Sequence, residues 1–230
     1  MLKLMNILKY LEYLDFLNSR KKAIYIVSGL ALLFLLLTAF VALLPTTFID
    51  LEFSEELQED HSPLLDMLMK FVSWFGTRWV AISMAVGTAL AFLLMRFRRE
   101  ALFMMLTMLS SVVAFGIKVL VNRPRPTEDL VRIVSKAENQ SFPSGHTTFY
   151  VAFFGFLIFL LFRLRQIPSL IRWTVGSFSL LLILSVPFSR VYLGDHWFTD
   201  VVAGFVLGLI SLVLLIYGYF RPERRASAGQ

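Results

Sequence analysis

A chain of 230 residues that is 57% hydrophobic and only 17% charged is too apolar for a soluble domain, and residues 1–230 read as one membrane-embedded domain. With no cysteine, disulfides, thiolate nucleophiles and thiolate metal sites are excluded. The net charge of +6 does not require a nucleic acid partner, because the basic residues sort with the connectors between apolar runs.

Leu4, Leu8, Leu11 and Leu14 recur at helical spacing among Lys3, Lys9, Glu12 and Asp15. This predicts an amphipathic helix on the membrane surface. The segment is too long and too mixed for a cleavable signal peptide. Six spans follow, at about 23–44, 78–95, 101–122, 146–162, 173–190 and 197–219, each near the roughly 20 apolar residues a bilayer needs. The fold class is therefore all-α, a six-span transmembrane helix bundle. The first connector is acidic, with Asp50, Glu52, Glu55, Glu56, Glu59 and Asp60. Its second half carries Leu64, Leu65, Leu68, Phe71, Val72 and Phe75 at helical spacing, which predicts an interfacial helix flanked by Trp74 and Trp79. Most Lys and Arg residues fall at the two termini and in the second and fourth connectors, which places both termini in the cytoplasm.

Polar residues gather at the opposite ends of the spans. Lys118 lies about one turn before Asn122, inside an apolar run where a cation is costly unless it snorkels or finds a partner. The segment Asn122–Pro126 ends that helix and holds Arg123 and Arg125 in an extended loop. Ser144, after Pro143, is positioned to cap span four, and Gly145 admits close approach to the backbone. A helix N-terminus there is a ready anion site, with His146 in its first turn. Arg190 ends span five, and His196 begins span six. Asp200 follows at the i, i+4 spacing that sets imidazole and carboxylate on one helix face. Three cations and backbone N–H donors describe a site for a tetrahedral oxyanion. With cysteine absent, the best nucleophile is a histidine backed by Asp200.

Lys118 followed after six residues by Arg125-Pro126, then Pro143-Ser144-Gly145-His146, then Ser189-Arg190 with His196 and Asp200, resembles the three-part signature of the type 2 phosphatidic acid phosphatase (PAP2) superfamily. The motifs run in order over residues 118–200. The resemblance implies an integral-membrane lipid phosphate phosphatase. His196 would form a phosphohistidine, Asp200 would orient it, and His146 would protonate the leaving oxygen. Lys118, Arg125, Ser144, Gly145 and Arg190 would bind the phosphoryl oxygens. The implied substrates are phosphatidylglycerol phosphate, phosphatidic acid, lipid A phosphate or a polyprenyl pyrophosphate. The site would face the outside of a cell (inner) membrane.

No cofactor and no metal is expected, since His61 stands apart in the acidic connector. Arg123, Asp195 and the 127–140 loop lie outside the signature, and Asp195 would either repel an anion or tune His196. A phosphotransferase using the same phosphohistidine, a non-enzymatic transporter and a soluble sugar phosphate substrate are the competing readings.

Overall fold

The structure, a computed structural model, describes residues 20–135, 137 and 139–227. The N-terminal amphipathic helix expected over Leu4–Leu14 lies outside the described residues. Nine helices are present among the described residues: α1 (Arg20–Leu43), α2 (Phe48–Glu59), α3 (Pro63–Trp74), α4 (Arg78–Leu94), α5 (Arg98–Leu106), α6 (Leu109–Val121), α7 (Gly145–Arg163), α8 (Ser169–Tyr192) and α9 (Phe198–Ser227).

Among the described residues five segments are long and apolar enough to cross a membrane: Lys21–Leu43, Arg98–Val121, Gly145–Arg163, Ser169–Tyr192 and Phe198–Phe220. The expected second span does not stand alone. α4 has 17 residues and reaches the required length and hydropathy only together with α3, across a bend of 51°. The expected third span is two helices, α5 and α6, separated at Thr107–Met108.

The first connector also differs from its expected form. Its acidic half is a helix, α2, started by Thr47, whose side chain accepts a hydrogen bond from the Asp50 N–H. The buried face of α2 is polar: Asp50, Ser54 and Gln58, four residues apart. The interfacial helix expected in the second half is present as α3. Ser62 caps it and Pro63 occupies its first turn, where a missing N–H costs nothing.

α7 is the most buried of the spans and packs against α8 and α9. Its Phe149, Phe153, Phe156 and Phe159 lie in one aromatic core with Phe103 and Tyr219. Lipid tails are as apolar as these rings, so burial alone does not drive helix association in a bilayer. Close packing and interhelical hydrogen bonds do. Both occur where α9 crosses α7. Gly204 and Gly208 are four residues apart and face α7. A Cβ on Gly204 would lie 2.5 Å from the Ser144 carbonyl oxygen, and one on Gly208 would lie 2.6 Å from Cβ of Val151. Thr148 Oγ1 donates to the Gly204 carbonyl at 3.1 Å across the same crossing. At the far end of the bundle Tyr219 donates to the buried Glu100 at 2.6 Å.

Candidate active site

The start of α7 forms one wall. Ser144 caps it, accepting from Thr147 N–H and from Thr147 Oγ1 at 3.0 Å. The Ser144 N–H donates to the Asp200 carbonyl at 3.0 Å, which ties this wall to α9. The first N–H groups of a helix have no intrahelical partner and carry the positive end of its dipole. Lys118 comes from the last turn of α6, which Asn122 ends in a left-handed conformation. Its Nζ does not snorkel. It donates to the carbonyls of Gln140 and Ser141 at 2.9 Å each, and its stem runs past Gly145.

His196 lies in the turn between α8 and α9. The turn needs Gly194, whose φ is 73° and whose Cβ would lie 2.5 Å from the Arg132 carbonyl oxygen. The sequence placed His196 in the first turn of span six, whereas α9 begins two residues later, at Phe198. The pairing with Asp200 survives that shift, although not as a direct hydrogen bond. His196 Nδ1 and Asp200 Oδ2 are 3.6 Å apart. Ser141 bridges them, its hydroxyl donating to Asp200 Oδ2 and lying 3.4 Å from Nδ1. The Trp197 N–H also donates to Asp200 Oδ2, at 2.9 Å. The other ring nitrogen, Nε2, faces the Arg125 guanidinium at 3.5 Å. Burial, then Arg125, Lys118, Arg190 and His146, hold the His196 imidazole well below its usual pKa.

Arg125 is fixed by donation to the Asn139 carbonyl at 2.8 Å and to the Asp195 carbonyl. Arg190, in the last turn of α8, donates to Ser73 Oγ and pairs with Asp195 Oδ2 at 2.8 Å. Asp195 therefore does not stand against His196 as an unpaired charge. It neutralises Arg190 and accepts from Ser135 Oγ at 2.5 Å. His146 packs against Gly76, which leaves no room there for a Cβ. Its Nε2 is buried and has no hydrogen-bond partner among the described residues.

Two buried charges are new. Arg123 shares an extended loop with Arg125 and lies outside the signature. It points instead to the other side, into Asp50 of α2 and Asp200 of α9, at 2.6 Å each. Asp50, one of the acids of the first connector, is fully buried.

The eight residues singled out in the sequence thus gather at one end of the bundle, joined by Ser141, Asp195, Arg123 and Asp50. The arrangement offers cations and N–H donors for an oxyanion, an imidazole nitrogen among them, and a second imidazole close by. Among the described residues no group of three His, Asp or Glu side chains is placed to hold a metal ion.

Comparison with known proteins shows the family. Residues 99–224 match the family described as the PAP2 superfamily. An undecaprenyl-diphosphatase of Sulfolobus acidocaldarius is 27% identical over 78% of this chain and 84% of its own. A lipid A 4'-phosphatase of Porphyromonas gingivalis is 29% identical over 70% of each. The crystal structure of a transmembrane PAP2-type phosphatidylglycerolphosphate phosphatase from Bacillus subtilis superposes with a TM-score of 0.74. It is 24% identical, and the match covers 86% of this chain and 97% of that one.

Proposed function

The chain belongs to the PAP2 superfamily, and from that premise we propose that it removes phosphate from a membrane lipid phosphate by way of a phosphohistidine on His196. It is a multi-pass membrane protein and a lipid phosphatase. The substrate class is a lipid monophosphate or diphosphate, in keeping with relatives named for undecaprenyl diphosphate and for lipid A. The bias of basic residues toward the termini and the even-numbered connectors supports cytoplasmic termini and a site at the outer face.

The observation that carries this reading is the division of labour on the His196 ring. Nδ1 faces Asp200 and Ser141, while Nε2 faces Arg125. Nε2 is therefore the nitrogen presented to a phosphoryl group held by Arg125, Arg190, Lys118 and the N–H groups of α7. Its lone pair attacks phosphorus as the bond to the lipid oxygen breaks. His146 gives a proton to that oxygen. Asp200 stabilises the charge that grows on the His196 ring. Water then attacks the phosphohistidine, the P–N bond breaks, and His146 takes the proton back.

The test is rapid-quench trapping with radiolabelled lipid phosphates. Wild type should give an acid-labile phosphoenzyme and release inorganic phosphate, and His196→Ala should give neither. A phosphoenzyme that persists in His196→Ala would refute the assignment. Transfer of label to a second lipid without release of phosphate would make the chain a phosphotransferase.

A further inference from the structure

Arg123 and Asp50 lie outside every motif that carries the family resemblance. They are nevertheless buried as deeply as Asp200, with side-chain exposures of 1%, 0% and 0%. All three nitrogens of the Arg123 guanidinium are engaged. NH2 pairs with Asp50 Oδ2 and NH1 with Asp200 Oδ1, at 2.6 Å each. NH1 also reaches Thr199 Oγ1 at 2.7 Å, and Nε donates to the Pro45 carbonyl at 2.8 Å. Asp50 is equally well held. Its Oδ1 accepts from the Thr199 N–H and hydroxyl at 2.9 Å each, and its Oδ2 accepts from Thr47 Oγ1 at 2.8 Å. A buried ion cluster is tolerable only with this degree of saturation.

The two oxygens of Asp200 have separate duties. Oδ1 meets Arg123, while Oδ2 meets Ser141, the Trp197 N–H and the His196 ring. Because a carboxylate is planar, a partner that fixes one oxygen aims the other. We propose that Arg123 and Asp50 are positioning residues for the phosphoryl-transfer step, fixing the carboxylate of Asp200 and balancing the charge it presents to His196. The proposal rests on the phosphohistidine reading above. It assigns the first connector, through α2, a part in the chemistry that its acidic composition conceals.

Charge separates this role from simple support of the fold. His196 is faced by Lys118 from α6, Arg125 from the loop before α7, His146 from α7 and Arg190 from α8. Asp195 precedes it in its own turn, and Asp200 faces it from α9. Behind Asp200 stand Arg123 and then Asp50. Removing the Asp50 charge makes the potential at His196 more positive and favours its neutral form. Removing the Arg123 charge does the reverse.

The test uses the full-length protein in detergent micelles, with Asp50→Asn, Arg123→Gln, Arg123→Lys and the double variant Asp50→Asn/Arg123→Gln. Each single variant should lose at least about tenfold in kcat with KM held within about twofold, the pattern of a contact needed in the transition state. The acid limb of kcat/KM should move to lower pH in Asp50→Asn and to higher pH in Arg123→Gln, and should stay in place in Arg123→Lys. The double variant should return the limb toward wild type. Size-exclusion profiles and thermal melts report folding separately. Wild-type kcat in Asp50→Asn and Arg123→Lys overturns the proposal, as does a loss that merely tracks unfolding with no displacement of the limb. If wild type itself forms no phosphohistidine, the catalytic reading fails instead, and trapping distinguishes the two outcomes.

Discussion

Replacing Gly204 by Ala tests how closely the phosphate cradle is set against the helix that carries Asp200. The new Cβ would lie 2.5 Å from the Ser144 carbonyl oxygen and 3.2 Å from the Cβ atoms of Ser144 and Thr147. An ordinary C···O contact needs about 3.3 Å, so α9 and the start of α7 must part by roughly 0.8 Å. None of these atoms is the tip of a flexible side chain, and they cannot swing aside. The displacement acts on the 3.0 Å bond from Ser144 N–H to the Asp200 carbonyl, and so on the spacing between cradle and nucleophile. Misplacement by about 1 Å costs up to roughly a hundredfold in rate, so kcat should fall between about tenfold and a hundredfold. Helix propensity works in the other direction, favouring Ala over Gly by about 1 kcal/mol, so lost helicity would not explain the defect. Gly116→Ala is the control, since nothing lies within 4 Å of its Cβ. The assay is inorganic phosphate release from a lipid phosphate in mixed micelles, with the amount of folded protein measured by size exclusion. Wild-type kcat in Gly204→Ala would refute the claim that this crossing sets the site.

Other expectations bear on the site directly. Burial and the surrounding cations keep His196 neutral as pH falls. The acid limb of kcat/KM should therefore lie below the ordinary histidine value of 6.5, and a limb above it in a pH–rate profile would contradict the assignment. Arg190→Lys keeps the charge but loses the planar guanidinium, whose NH1 meets both Ser73 and Asp195. Steady-state kinetics should show a fall of at least about tenfold in kcat. Turnover should survive EDTA and be blocked by vanadate, and loss on chelation that a divalent ion restores would sink the metal-free mechanism.

Five of the six expected spans were legible because bilayer crossing demands long apolar runs, which stand out in any window, whereas α4 is long enough only together with α3. α2 was not legible, because its buried face is polar. Asp50, Ser54 and Gln58 have helical spacing, but a search for apolar periodicity passes over them. Gln58 in fact joins distant segments, donating to the carbonyls of Arg132 and Tyr192 at 2.8 Å each. Arg123 was given no role from the sequence, although the geometry of its loop bears on it. In a proline-fixed extended segment with about three residues per turn, side chains two apart diverge by roughly 120°, so Arg123 and Arg125 cannot serve the same pocket. That argument needs only the sequence Asn122–Pro126 and could have been made from it. Gly204 and Gly208 likewise carry the spacing of small residues at a helix crossing. Ser141 is different. Nothing in its neighbourhood says that its hydroxyl would come between His196 and Asp200, which lie 55 and 59 residues further on.

The Asp50–Arg123–Asp200 cluster also has a history in time. Its members lie 73 and 77 residues from Arg123 along the chain, one before it and one after. Synthesis proceeds at about 5–20 residues per second, so Arg123 emerges roughly 4–15 s before Asp200. Throughout that interval Asp50 is already present, so one carboxylate partner is available to Arg123 before the other is made. The first half of the cluster is thus available as a latch that keeps an arginine from being stranded beside the lipid while the last three spans are still being made. Asp200 can complete it only on arrival with α9, the last of the described helices.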